Sequence, residues 1–166
     1  MTDANHWIQS LRLRPHPEGG YYTETYRSEH SIAKEHLPER FGGDRALATS
    51  IYFLLEGEDF SALHRIKQDE IWHFYDGSSL TIHVIDPDGN YRAEQLGRDV
   101  QKGERLQVLV PPGHLFGATV NDPRSYTLVG CTVIPGFHFD DFEMPPREAL
   151  LQRYPQHRPI IERLTR

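Results

Sequence analysis

The chain reads as short alternating or apolar stretches cut apart by turn residues. Gly20 to Ser28, GYYTETYRS, alternates and is rich in Tyr and Thr, the composition of a pleated strand. Ala48 to Glu56 is apolar and β-rich, and Ser61 to Ile66 is a further short run. Glu70 to Tyr75 ends at Asp76-Gly77, and Leu80 to Ile85 ends in Asp86-Pro87-Asp88-Gly89, which is turn chemistry. Gly103 to Val110 leads into Pro111-Pro112-Gly113, and Tyr126 to Val133 runs on to Pro135-Gly136. Helix is expected only near the termini. Trp7, Ile8 and Leu11 share a helical face within Asn5 to Leu13, before Pro15 and Pro17. Pro146 suits the start of a second helix over Arg147 to Tyr154, which Pro155 ends. Ser31 to Arg45 is polar and reads as a long loop over the mouth of a pocket.

Many short strands with no helix between them predict an antiparallel sandwich or barrel and argue against a parallel βαβ fold. The 166 residues show no repeat and no composition break, so one domain over residues 1–166 is expected. An aromatic share of 11% suits such a fold, because Tyr, Phe and Trp pack well on pleated surfaces. The net charge of −6 and the lack of a basic run exclude nucleic acid as an expected partner. The N-terminus has no basic segment followed by an apolar run, and no stretch is long enough to span a bilayer, so a cytoplasmic protein without a membrane partner is expected. The lone Cys131 cannot bridge internally, which fits a reducing compartment, and its mid-strand position reads as inert packing.

The densest chemistry lies in SALHRIKQDEIWHFYDG, Ser61 to Gly77. Side chains alternate across a strand, so His64 shares a face with Ala62 and Ile66, and Glu70 shares one with Trp72 and Phe74. In a hairpin those faces coincide, bringing an imidazole and a carboxylate beside two aromatics. Such a pair can bind a metal, or act as a base and its orienting partner, with His64 the base and Glu70 holding it. Trp72, Phe74 and Phe116 read as pocket walls or as core, and Tyr22, Glu24 and Tyr26 as pocket residues or as a solvated edge. Arg65, out of phase with His64, reads as a surface residue, and Asp140-Asp141-Phe142-Glu143 as a solvated turn. His73 falls on the face opposite Glu70, while the sides of His83 and His114 are not fixed by the pattern.

The spacing Gly57…His64-x-Ile66-x3-Glu70-x6-Gly77 resembles the first motif of the cupins, and Pro111 to Asn121, PPGHLFGATVN, resembles the second. Two of the four usual metal-ligand positions hold Ile66 and Phe116, leaving His64 and Glu70. The resemblance thus implies no resident cofactor and at most a weakly held divalent metal. The strings HPEGGYYTETYRS, SALHRIKQDEIWHFYDG, LVPPGHLFGA and LVGCTVIPGFHFDDFE together resemble a family of small single-domain cupins from bacteria and fungi whose function is unassigned. That likeness implies a double-stranded β-helix, or jelly-roll barrel, with short terminal helices, a small-molecule ligand and a homodimer. A more distant likeness is to the sugar-nucleotide 3,5-epimerases, also cupins. It rests on Gly20 to Tyr26 and Ala62-Leu63-His64, but Val129 stands where their catalytic Tyr would be. It implies an isomerase or epimerase acting on a sugar or nucleotide-sugar, and a metal-dependent oxygenase is a further cupin alternative.

Overall fold

The computed structural model describes residues 3–166. In chain order its strands are β1 (Arg14–Pro15), β2 (Tyr21–Arg27), β3 (Ser31–Ile32), β4 (Arg45–Ala46), β5 (Thr49–Glu56), β6 (Phe60–His64), β7 (Asp69–Gly77), β8 (Leu80–Ile85), β9 (Tyr91–Leu96), β10 (Gln107–Val110), β11 (Leu115–Val120) and β12 (Tyr126–Ile134). Its α-helices are α1 (Ala4–Ser10), α2 (Arg147–Arg153) and α3 (Arg158–Arg163). One antiparallel sheet runs β1-β2-β5-β12-β7-β10, and a second runs β6-β11-β8-β9. The two sheets face each other across a core that includes Phe53, Trp72, Val84, Phe116 and Val129. This is the antiparallel all-β arrangement expected from the strand rhythm, and its jelly-roll form is the one that the family resemblance implies.

Residues paired in register share a face of the sheet. On the inner face of the large sheet, one row is Glu24, Ile51, Cys131, Trp72 and Val108, and the next holds Arg27, Thr49, Val133, Glu70 and Val110. The outer face carries Tyr52, Gly130, His73 and Gln107 in one row and Tyr26, Ser50, Thr132, Ile71 and Leu109 in another. α1 covers one end of that outer face, where Trp7, Ile8 and Leu11 pack near Leu54 and Leu128. α2 and α3 close the small sheet through Leu150, Ile161 and Leu164 against Leu63 and Leu115.

Several expectations are corrected. β6 and β7 do not form a hairpin: they belong to different sheets, and Arg65 to Gln68 carry the chain across the gap. His64 also does not share a face with Ala62. A bulge shifts the β6–β11 register so that His64 faces Phe116 and Ser61 faces Ala118, which brings Ser61 and His64 to the same side. The segment Ser31 to Arg45 is not wholly loop, since β3 pairs with β4, and it does not line the cavity described below. The first helix stops at Ser10, and beyond Pro155 the chain turns helical again as α3. No helix among the described residues is long and apolar enough to cross a membrane.

Candidate functional site

A cavity of about 380 Å³ opens between the two sheets. One of its buried polar residues, Glu18, comes from the turn Pro17-Glu18-Gly19-Gly20 that follows β1. This turn is wedged against backbone: a Cβ on Gly19 would lie 2.2 Å from the Phe60 carbonyl oxygen, and one on Gly20 would lie 2.6 Å from that of Leu54. Both glycines have positive φ, 112° and 69°, which side-chain-bearing residues rarely adopt. The Ala62 amide donates to the Glu18 carbonyl at 2.8 Å, tying the turn to β6. The Glu18 carboxylate thereby meets the His64 imidazole, with Oε2 2.9 Å from Nε2.

The other ring nitrogen of His64, Nδ1, lies 2.6 Å from the Ala62 carbonyl oxygen. A carbonyl only accepts, so Nδ1 carries a proton. Burial disfavours charge on His64, but the Glu18 carboxylate outweighs it and, with help from Glu70, raises the imidazole above its ordinary value. Burial likewise pushes Glu18 up, but His64 and then His16 bring it below the usual carboxylate range. Both directions favour an imidazolium–carboxylate pair, whose net charge is zero. Nearby, His16 Nδ1 accepts the Glu18 amide at 3.1 Å, which places its ring proton on Nε2. Burial holds His16 below its ordinary value, so it is neutral near pH 7.

Glu70 faces this pair from the opposite sheet. It is buried and, among the described residues, forms no ion pair with Lys, Arg or His. Burial raises its carboxyl to about 7, against the pull of His64 and with a push from Glu18. The Cys131 thiol hydrogen-bonds the carboxyl, and burial together with Glu70 raises that thiol well above its ordinary value. Cys131 is therefore a protonated thiol that packs in the core and also reaches the cavity wall.

The mouth of the cavity is formed by Arg14, Arg27, His138 and a strap, residues 135–145, that contributes Phe137, Phe139 and Phe142. Buried polar contacts fasten the strap. Asp141 accepts two hydrogen bonds from the Arg45 guanidinium at 2.7 and 2.8 Å and a third from Gln68 Nε2 at 2.7 Å. Asp141 is only 3% exposed, so the acidic run expected as a solvated turn has an ion-paired buried member. Glu143 completes the fastening by accepting from Arg65 at 2.7 and 3.0 Å.

Of the residues singled out from sequence, His64, Glu70, Tyr22 and Glu24 line this cavity, and Trp72, Phe74 and Phe116 do not. Trp72 and Phe116 lie on inner faces but are packed into the core, with ring centroids 6.3 Å apart, and Phe116 backs His64 at 4.2 Å. Phe74 is one row away, beneath the Arg98 guanidinium. Tyr26 points outward and is half exposed. His73 contacts Thr132 on the outer face, and His114 stays in its turn against the Pro112 carbonyl. His83 lies between Tyr91 and Thr119, and burial, then Arg163, lowers it to about 4. Glu18, His16 and the strap phenylalanines were not anticipated as site residues. The available signal for Glu18 was an acidic residue followed by two glycines.

The donor set does not suit the metal of the four-ligand cupin pattern. Ile66 and Phe116 cannot coordinate, and both His64 nitrogens are already engaged. Among the described residues, no group of three or more His, Cys, Asp or Glu side chains is arranged to hold a metal ion.

A jelly-roll barrel with a cavity between its sheets is the architecture of a cupin. The chain belongs to the family described as Cupin superfamily (DUF985), whose model matches residues 5–145. Protein SO0799 of Shewanella oneidensis has a similar solved structure, with 46% identity and a TM-score of 0.89 over 100% of this chain and 99% of that one. A hypothetical protein from Leishmania major is similar at 40% identity and a TM-score of 0.90, covering 99% of both chains. Uncharacterized protein YML079W of Saccharomyces cerevisiae is 29% identical over 143 residues, 81% of this chain and 71% of the yeast protein. Oxalate decarboxylase of Bacillus subtilis shares the fold alone, at 16% identity and a TM-score of 0.56 over 90% of this chain and 36% of that one.

Proposed function

We propose that the cavity binds a small organic molecule and exchanges a proton with it at Glu70. The observation that carries this reading is a buried carboxyl that lines an open cavity, forms no ion pair among the described residues and titrates at about 7. A general acid–base works best when its pKa is near the working pH. Burying Glu18, His64 and Glu70 together costs stability, and such clusters are concentrated at functional sites. The roles expected from sequence are exchanged in this proposal. His64 is committed at both nitrogens, so Glu70 is the proton-transfer group and the Glu18–His64 pair is its fixed electrostatic background. In its ionised form Glu70 takes a proton from a C–H beside a carbonyl, and the protonated form returns it, so no co-reactant is consumed. Val129, wholly buried, offers no hydroxyl at the position where a 3,5-epimerase would carry its catalytic Tyr.

The test is a thermal-shift panel of polar metabolites, followed by NMR of each stabilising compound in D2O with wild type and Glu70→Gln. A ligand that binds only the folded state raises apparent stability. The expected result is at least one stabilising compound whose C–H exchanges for deuterium with wild type but not with the variant. No stabilising compound, or equal exchange with Glu70→Gln, would refute the reading.

We also propose that the chain is a homodimer acting in the cytoplasm. Among the described residues β1 pairs with β2 only at Tyr21 and Tyr22, and no other strand pairs with Thr23 to Arg27 on that side. Tyr26, Tyr75, Leu109 and Ile134, each 44–55% exposed, add apolar surface to the large sheet. A free edge and an apolar face suit sheet extension by a second copy. The lone buried thiol suits a reducing compartment.

A further inference from the structure

We infer that the molecule bound in the cavity is an organic anion, with its oxyanion group held by Arg14 at the rim and an apolar body inside. The inference rests on the small-molecule reading above and adds the ligand's chemical class. It follows from pairing off the charges around the cavity. The Glu18–His64 pair is neutral as a unit. Arg27 spends Nε and Nη2 on the two oxygens of Glu24, each at 2.9 Å, and Nη2 also reaches the Phe137 carbonyl. His138 is turned to its own loop, where Nδ1 accepts the Asp140 amide. Arg14 remains. Its guanidinium lies 5.4 Å from the centre of the Tyr22 ring and, among the described residues, makes no ion pair or side-chain hydrogen bond. A planar guanidinium offers a fork of donors matched to carboxylate or phosphate oxygens, and Tyr22 limits where that fork can point. Behind it the walls are apolar, formed by Ile51, Phe53 and Phe142. Glu70 in its protonated state adds no opposing charge at the inner end. A cavity of this size admits a ring or a short chain between the two.

The test uses 19F NMR titration with 4-fluorophenylacetate, 4-fluorophenyl phosphate and the uncharged 4-fluorophenylacetamide, at pH 6. At least one anion is expected to bind wild type about tenfold or more tightly than the amide, the scale of one charge-assisted hydrogen bond. Arg14→Gln should cut that preference to less than about threefold, and Arg14→Lys should keep part of it. Arg14 is exposed, and melting curves of both variants check that the fold is intact. Equal binding of anions and amide to wild type would overturn the anion inference and leave the cavity reading standing. So would an anion preference unchanged in Arg14→Gln. If none of the three probes binds at millimolar concentration, this inference falls, and the metabolite panel decides the cavity reading separately.

Discussion

Replacing Glu70 by Gln should make the protein more stable at high pH, by an amount that follows from the environment of the carboxyl. In the fold that carboxyl titrates at about 7, against an ordinary value of 4.5. Between these values the folded chain keeps a proton that the unfolded chain has released, so stability falls as pH rises through the window. Below it both states are protonated, and above it both are ionised. The gap corresponds to ~3 kcal/mol by proton linkage. Gln keeps the shape of the protonated acid and cannot ionise. Glu70→Gln should therefore match wild type within ~1 kcal/mol near pH 4 and exceed it by ~3 kcal/mol at pH 8. Urea unfolding at half-unit pH steps, followed by tryptophan fluorescence, measures both proteins. The difference between them is the decisive quantity, because other groups titrate as well. His64, raised in the fold, loses its stabilisation as pH rises through its folded value. Glu18, lowered in the fold, loses its own as pH falls. A difference that stays flat from pH 4 to 8 would refute the reasoning about Glu70.

Asp141→Asn should cost about 3–5 kcal/mol in the same urea assay, because it leaves the buried Arg45 guanidinium without its anion. Limited proteolysis should then cut first between residues 136 and 143, and an unchanged digestion pattern would show that the strap has other anchors. Gly20→Ala should destabilise by more than about 1 kcal/mol, since φ is 69° and the new Cβ would press on the Leu54 carbonyl. A neutral effect on the urea midpoint would mean that the turn carrying Glu18 relaxes freely. Sedimentation at micromolar concentration should give twice the 19.2 kDa chain mass, and a monomer would defeat the dimer proposal.

The strand rhythm was legible because turn chemistry marks it: Leu80 to Ile85 before Asp86-Pro87-Asp88-Gly89 has the bounds expected of β8. β9 was invisible for the opposite reason. Its residues, YRAEQL, leave Tyr91 and Ala93 exposed and bury one apolar side chain, Leu96. α3 was hidden by Pro155, which reads as the end of the helix before it, while Pro159 sits in the first turn of α3, where proline is tolerated. In the site, alternation correctly assigns Glu70, Trp72 and Phe74 to one face. It does not tell where along that face the core ends and the cavity begins. The contact between Glu18 and His64 spans separate elements, and nothing local in the chain marks it. Asp141 was misread because a carboxylate inside a run of acids resembles surface until its cation, Arg45, is placed.

The cavity walls are drawn from residues as far apart as Arg14 and Phe142, on both sheets and the strap. Little of it exists until distant strands have paired, and closing such large loops is slow. Binding competence should therefore be among the last properties acquired in refolding, after most secondary structure has formed. A ligand would have little purchase on the folding transition state and should act mainly by slowing unfolding. Occupancy would then lengthen the lifetime of the native protein without hastening its birth.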